Sequence, residues 1–249
     1  MKKGLIFITV LCSLWMLRPF SVFAARPLIT EDTGTAEKGS FELELAFDYL
    51  RDCNDDKFYI PSAQLAYGLT ERAEIAANIG YILKDVHEGE RVDGWSDLIA
   101  YLKYRLWGEG KYYPALAIKP LVKFPTADWK KDIGSGKTDY GLSLVFGKSF
   151  ARLHLHFEAL YFYVGERDKT DVLITGLCGD YEIMKGLLAV GEVRYFRNFN
   201  SISTDDPALM LLGLQAGSGK VVFDAGFIIG LNSAAPDYGF TIGLTLKFK

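Results

Sequence analysis

SerPheGluLeuGluLeuAlaPheAspTyr, residues 40–49, decides how the rest of the chain is read. Phe41, Leu43, Leu45, Phe47 and Tyr49 alternate with Ser40, Glu42, Glu44, Ala46 and Asp48 without a break. A β-strand turns successive side chains to opposite faces, so the stretch predicts a strand with one apolar face and one that tolerates carboxylates. A second sheet covers such an apolar face in a soluble sandwich, and lipid covers it in a membrane barrel.

Upstream, Lys2 and Lys3, the apolar run Leu5 to Met16 and the small-residue site Val22-Phe23-Ala24 read as a secretory signal over residues 1–24, with the mature chain beginning at Ala25. That run is too short and too early for a spanning helix, and no later stretch offers about 18 continuous apolar residues. Residues 25–39, rich in turn formers, predict a short periplasmic lead-in to a folded domain over 40–249. Loss of Lys2, Lys3 and Arg18 with the signal takes the formal charge from -3 to -6, and no basic patch suggests nucleic acid. Cys12 follows Leu11 inside the signal, which gives no lipoprotein anchor. Cys53 in a polar loop and Cys178 in mid-strand are poorly placed for a disulfide, and so few cysteines suit a bacterial envelope protein.

Downstream the alternation recurs over 40–51, 57–69, 71–84, 95–107, 112–125, 138–149, 151–164, 171–183, 186–197, 207–217, 220–231 and 237–248. Each segment reaches the roughly 9–11 residues that a tilted strand needs to cross a bilayer. The fold class expected is all-β, a transmembrane antiparallel up-and-down β-barrel of about twelve strands, the even number putting both ends in the periplasm. Connections at 69–71, 108–111, 148–150, 184–186 and 217–220 read as tight, whereas 85–95, 126–137 and 198–207 read as long and polar. Short periplasmic turns alternating with longer outer loops are a barrel pattern, with no counterpart in a sandwich.

The faces agree. Leu142, Leu144 and Phe146, or Phe240, Ile242, Leu244, Leu246 and Phe248, form outward rows. The residues expected to line the lumen are Glu42, Glu44, Asp48, Asp97, Lys103, Arg105, Lys119, Lys123, Arg152, His154, His156, Glu158, Glu192, Arg194 and Asp224. Tyr49, Tyr67, Tyr81, Tyr104, Tyr140, Tyr161 and Tyr181 fall near strand ends, as interfacial girdles require. Pro120 inside the fifth segment removes a ladder hydrogen bond, so a bulge or a strand boundary is expected there.

Several blocks are similar to a known family: residues 26–45, LysPheProThrAlaAsp at 123–128, GlySerGlyLysThrAspTyr at 134–140 and AlaProAspTyrGlyPheThrIleGlyLeuThr at 235–245. Together they resemble the outer-membrane transporter-like family labelled "putative MetA pathway of phenol degradation", across essentially the whole mature chain. The resemblance implies an outer-membrane barrel linked to aromatic-compound degradation, and no catalytic residue. The chain departs from a common outer-membrane ending by placing Phe248 next to last, before Lys249.

Other chemistry is weakly signalled. GlySerGlyLysThr at 134–138 lacks the earlier glycine of a phosphate-binding loop, because Lys131 stands there. His154 and His156 with Glu158 suggest a metal site, weighed against a polar network on the lumen wall; Ser143 with His154 suggests a hydrolase. Lys103, Arg105, Lys119 and Lys123 predict a basic wall facing an acidic one of Glu42, Glu44, Asp48 and Asp224, a field suited to small polar or zwitterionic solutes. The reading is a monomeric, non-enzymatic outer-membrane channel without cofactor. Its partners are outer-membrane lipid, the barrel assembly machinery and small solutes, aromatic or hydrophobic by the family resemblance. A closed barrel binding through its outer loops is the alternative, and an outer-membrane hydrolase the third.

Overall fold

A computed structural model describes residues 26–52, 57–85, 91–131, 133–165, 171–199 and 206–249. The expected signal (1–24), Ala25 and Cys53 lie outside the described residues. Among the described residues are thirteen strands: β1 (Phe41–Arg51), β2 (Lys57–Thr70), β3 (Ala73–Asp85), β4 (Arg91–Trp95), β5 (Leu98–Trp107), β6 (Ala115–Phe124), β7 (Asp139–Phe150), β8 (Leu153–Tyr163), β9 (Val172–Met184), β10 (Leu187–Asn198), β11 (Ala208–Ser218), β12 (Val221–Gly230) and β13 (Tyr238–Phe248). β4 and β5 pair with successive halves of β3 and act as one interrupted stave, so the wall has twelve staves. Each stave pairs antiparallel with the next, and β1 closes the cylinder on β13, from Phe41 opposite Phe248 to Arg51 opposite Tyr238.

The two faces of each stave carry opposite chemistry. In β7, Ser143 is fully buried beside Leu144, which is 38% exposed; in β8, Glu158 is 2% exposed beside Phe157 at 42%. A water-soluble fold has the reverse arrangement. Charged groups enclosed by a closed wall with an apolar outer belt belong in a membrane, where every backbone donor must find a partner in the ladder. Aromatic rings mark both rims of the closure seam, Phe41 with Tyr67 and Phe248 at one end, Tyr49 with Tyr59 and Phe240 at the other. The chain is an outer-membrane β-barrel.

The structure corrects several boundaries. Residues 91–95, expected in a loop, form β4, since Val92 pairs with Lys84 and Trp95 with Tyr81. The connection after β5 runs from 108 to 114, longer than the expected 108–111, because Pro114 cannot donate to the ladder and Trp107 Nε1 instead donates to its carbonyl at 3.0 Å. The outer connections 52–56 and 86–90 are shorter than this one, so the alternation of short and long connections is not strict.

Pro120 neither breaks nor bulges β6. It stays in register with Leu142 of β7, while the β5–β6 ladder skips from Tyr101/Leu121 to Tyr104/Ile118 at unchanged register. The missing N–H thus falls in a local ladder gap, and the ring is exposed on the outer face. The bulge lies lower, between Arg105 and Trp107.

Candidate functional site: a lumen crossed by its own N-terminal segment

The residues before β1 hold the inner wall together. Arg26 lies 3.6 Å from Asp48 of β1 and 3.5 Å from Asp224 of β12, and donates to Thr241 of β13. Gln215 of β11 donates to the Arg26 carbonyl. The backbone N–H groups of Ile29 and Thr30 donate to Glu192 of β10 at 3.1 and 2.8 Å, and that of Glu31 to Glu158 of β8 at 3.1 Å. The Glu31 carboxylate accepts from Lys103 of β5 at 3.0 Å and Lys119 of β6 at 2.9 Å. The Ala36 N–H donates to Glu74 of β3. One short segment reaches staves all round the cylinder only from inside it. The 25–39 stretch, expected as a lead-in outside the barrel, instead forms a plug over its described residues, leaving at the tight-turn end where the Gly39 N–H donates to the Gly68 carbonyl at 2.8 Å.

The local chemistry explains why this segment fits. Glu74, Glu158 and Glu192 hold main-chain N–H groups, so they need the plug's path more than its side chains. The wall is cut back where the plug passes. A Cβ on Gly176 would collide with the Thr30 hydroxyl, and one on Gly68 with the Ala36 and Glu37 carbonyls. Leu28 packs on the cluster of Val190, Leu211 and Ile228.

Glu31 is the electrostatic centre. Burial raises its pKa, yet Lys103 and Lys119 outweigh burial and hold it down at about 2. Lys103 also meets Asp32 at 3.6 Å and Glu74 at 3.2 Å, and Lys119 meets Glu158 at 3.5 Å. Ser143 Oγ donates to the same Glu158 oxygen at 2.7 Å.

Toward the outer end, a cavity of about 420 Å³ lies between the wall and the loop 125–138, lined by Asn78, Ser96, Asp97, Ile99, Lys123 and Ile133 among others. Lys123 Nζ sits between Asp97 at 2.8 Å and Asp139, and donates to Ser135 at 2.7 Å. GlySerGlyLysThr is therefore a loop folded against the lumen, its Ser135 held by Lys123 and Asp139. Beside the cavity are inner apolar side chains: Leu121, Leu160, Phe162 and Ile174.

The remaining expected lumen residues divide. Glu42 pairs with Lys247 at 3.1 Å, Glu44 accepts from Gln64 at 3.1 Å, and buried Arg194 stacks over the Phe196 ring. Arg152 does not line the wall: it occupies the exposed turn before β8, because β8 starts one residue later. Arg105 reaches the rim, donating to the Glu71 carbonyl at 2.7 Å. His154 is held by Asp180 at 2.7 Å. His156 faces Cys178, a buried free thiol, and no group of three or more His, Cys, Asp or Glu among the described residues could hold a metal ion. Ser143 lies opposite Leu160 and His154 opposite Ser149, six residues apart along the ladder, or roughly 20 Å, so the proposed hydrolase pair is not assembled.

The predicted opposition of charged walls holds only for Asp224, on β12 diametrically across from β6; Glu42, Glu44 and Asp48 on β1 lie three staves from β5 and four from β6, so they do not face the basic wall across the lumen. The field is locally cancelled. Each lysine of the basic wall has acids beside it, and the plug sets Glu31 against the lysines and Arg26 against Asp48 and Asp224. Sequence reasoning missed Arg26, Glu31, Glu74, Asp139 and Gln215. The period-two pattern marks Glu74 beside Ala76 and Asn78 as inward, but nothing in the pattern marks the plug.

The family described as "Putative MetA-pathway of phenol degradation" matches residues 24–248. The chain belongs to this family. Its fold is similar to that of an outer membrane channel from Pseudomonas putida F1, at TM-score 0.66 and 14% identity over 89% of this chain and 100% of that one. The NanC porin follows at TM-score 0.60 and 10% identity, over 83% and 99%. The KdgM porin, solved with disordered oligogalacturonate, gives 0.52 and 8%, over 83% and 99%. At these identities the likeness establishes the fold alone. No curated protein matches.

Proposed function

We propose that this barrel is a channel for small amphipathic solutes, including aromatic compounds, entering through the cavity above the plug. The carrying observation is that cavity. Its volume of about 420 Å³ suits a solute of one or two rings, and it sets Ile99, Ile133 and Val164 beside Asp97, Lys123, Ser135 and Asp139. An apolar body with a hydroxyl or amino group finds both kinds of partner there. The family description supports an aromatic solute, and the barrel fold supports passage.

Along β6 the inner side chains run Lys123, Leu121, Lys119, so the cavity and the plug are about 13 Å apart. A solute that leaves the cavity next meets the plug. The extent of plug bonding supports a second reading, in which the resting barrel is closed and acts through its outer loops.

Planar-bilayer recording separates the two. The proposal expects small openings from the mature chain, block by phenolic solutes at the outer side, and several-fold larger openings after deletion of residues 25–36. Silence in both chains, with correctly folded barrels, would overturn the channel reading and leave the closed barrel.

A further inference from the structure

The plug does not cover the lumen evenly. From its exit at Gly68 of β2 it bonds β3, β5, β6, β8, β10, β11 and β12 in turn, and ends where Arg26 meets Asp48 of β1. Along that course the inward side chains Glu74, Lys119, Glu158, Glu192, Gln215 and Asp224 are buried. On β1 and β2 the inward side chains Glu42, Glu44, Ala46, Asp48, Ser62 and Gln64 are half-buried instead. Asp48 keeps 28% of its side chain accessible, against 3% for Glu158 and none for Asp224. Inside a closed wall such access is to the lumen, so a gap runs past the plug along β1 and β2.

The upper end of that gap is the cavity itself. Asn78 lines the cavity, stands opposite Gln64 in the β2–β3 ladder, and Gln64 stands opposite Glu44 in the β1–β2 ladder. Side chains so paired lie about 5 Å apart, and the tilt of barrel strands makes such a row descend as it crosses the wall. In the same row Lys123 is one residue from the outer end of β6, whereas Glu44 is three residues from the tight-turn end of β1. The adjoining row, Ala46, Ser62 and Gly80, is small throughout and leaves width beside the descent. Among the described residues the Asn78 amide makes no side-chain hydrogen bond, and Glu44 accepts from Gln64 at 3.1 Å but has no ion pair. Its neighbours are neutralised, Glu42 by Lys247 and Asp48 by Arg26.

We propose that solutes pass the docked plug along β1 and β2, stepping from Asn78 to Gln64 to Glu44, and that Glu44 selects neutral and cationic solutes over anions. The inference rests on the channel reading and gives it a route and a solute class. The two amides offer a donor and an acceptor each, which suits a hydroxyl or an amine in either role. An ionised Glu44 accepts and cannot donate, so a hydroxyl or ammonium group bonds it and a solute carboxylate is repelled. An unpaired acid on a narrow path is the arrangement that favours cations in a pore. Small openings with the plug in place follow from the same geometry, since the gap spans two of the twelve staves.

The test is reversal potential and current in planar bilayers under a potassium chloride gradient, with heat-modifiable gel mobility to verify that each barrel is folded. The unaltered chain should pass potassium several-fold better than chloride, and E44Q should bring the ratio close to parity. Benzylamine should block several-fold better than benzoate, a difference that E44Q narrows. In a background with Cys53 and Cys178 replaced by serine, Gln64→Cys treated with a water-soluble methanethiosulfonate should lose current several-fold. Ser143→Cys in that background, buried beneath the plug, should keep its current under the same treatment. Current with unchanged selectivity in E44Q, or equal responses of the two cysteine variants, places the path elsewhere and overturns this inference while the channel reading stands. Silence in every chain overturns the channel reading, and the route with it.

Discussion

Glu31 Oε1 lies 2.9 Å from Lys119 Nζ, joining a residue from before the first strand to the middle of β6. That contact, with the one to Lys103, anchors the plug to the wall that would otherwise be the most basic part of the lumen. The partner charges are nearly enclosed, and the pairs resist screening better than surface pairs do.

Replacement of Glu31 by Gln leaves Lys103 and Lys119 without their shared carboxylate and should weaken plug docking by roughly 1.5–3 kcal/mol. Faster backbone exchange over 26–36 with an unchanged barrel melting profile is the expected result. Lys119→Met should give a smaller change, since Lys103 keeps Glu31 anchored.

The depressed pKa of Glu31, at about 2 against about 4.3 for a free glutamate, fixes the sign of the acid response. Its contribution to docking is complete above the ordinary value and is lost as pH falls toward 2. Protection of residues 26–36, corrected for intrinsic exchange, should be flat from pH 7 to 5 and decline between about 4 and 2, and E31Q should lack that step.

Gly176 and Gly68 let the plug backbone lie against the wall. Gly176→Val should displace the Thr30 region and raise conductance several-fold while the barrel still folds, because a β-branched residue suits the strand itself. Gly68→Val should free the segment near Ala36.

Ser143 and Leu144 are neighbours on opposite faces, and they discriminate a membrane wall from a soluble one. Leu144→Arg should destabilise the barrel in lipid by about 2–4 kcal/mol, as expected for arginine near the bilayer midplane. Refolding titrations in phospholipid vesicles measure it.

The Ala151-Arg152 turn holds Ala151 at φ 55°, a left-handed value that an alanine adopts at some cost. Ala151→Gly should be neutral or stabilising by up to about 1 kcal/mol. Gly186→Val should destabilise its turn by more, since it combines φ 80° with a Cβ placed 2.7 Å from the Gly217 carbonyl oxygen.

The alternation beginning at Phe41 was sufficient to find the staves and to sort most side chains by face, because in a barrel one medium covers each face of every strand. It misjudged places where a backbone donor is missing or a stave is interrupted. Pro114 delayed β6, the Ser96-Asp97 break split β4 from β5, and Arg152 fell one residue short of β8. Such errors arise because hydrophobic period does not report which N–H groups find partners.

Sequence by itself determined the barrel, its membrane face and most of the inward wall charges, since those follow from the local period. Tertiary structure decided what the inward charges do. Glu192, Glu158 and Glu74 bond a segment 162, 127 and 38 residues away, and Arg26 reaches Thr241 across 215. Contacts of that separation leave no periodic mark in either segment. They exist only once the wall has closed and its enclosed carboxylates and lysines, cut off from bulk water, must be satisfied by one another and by the chain that folds in among them.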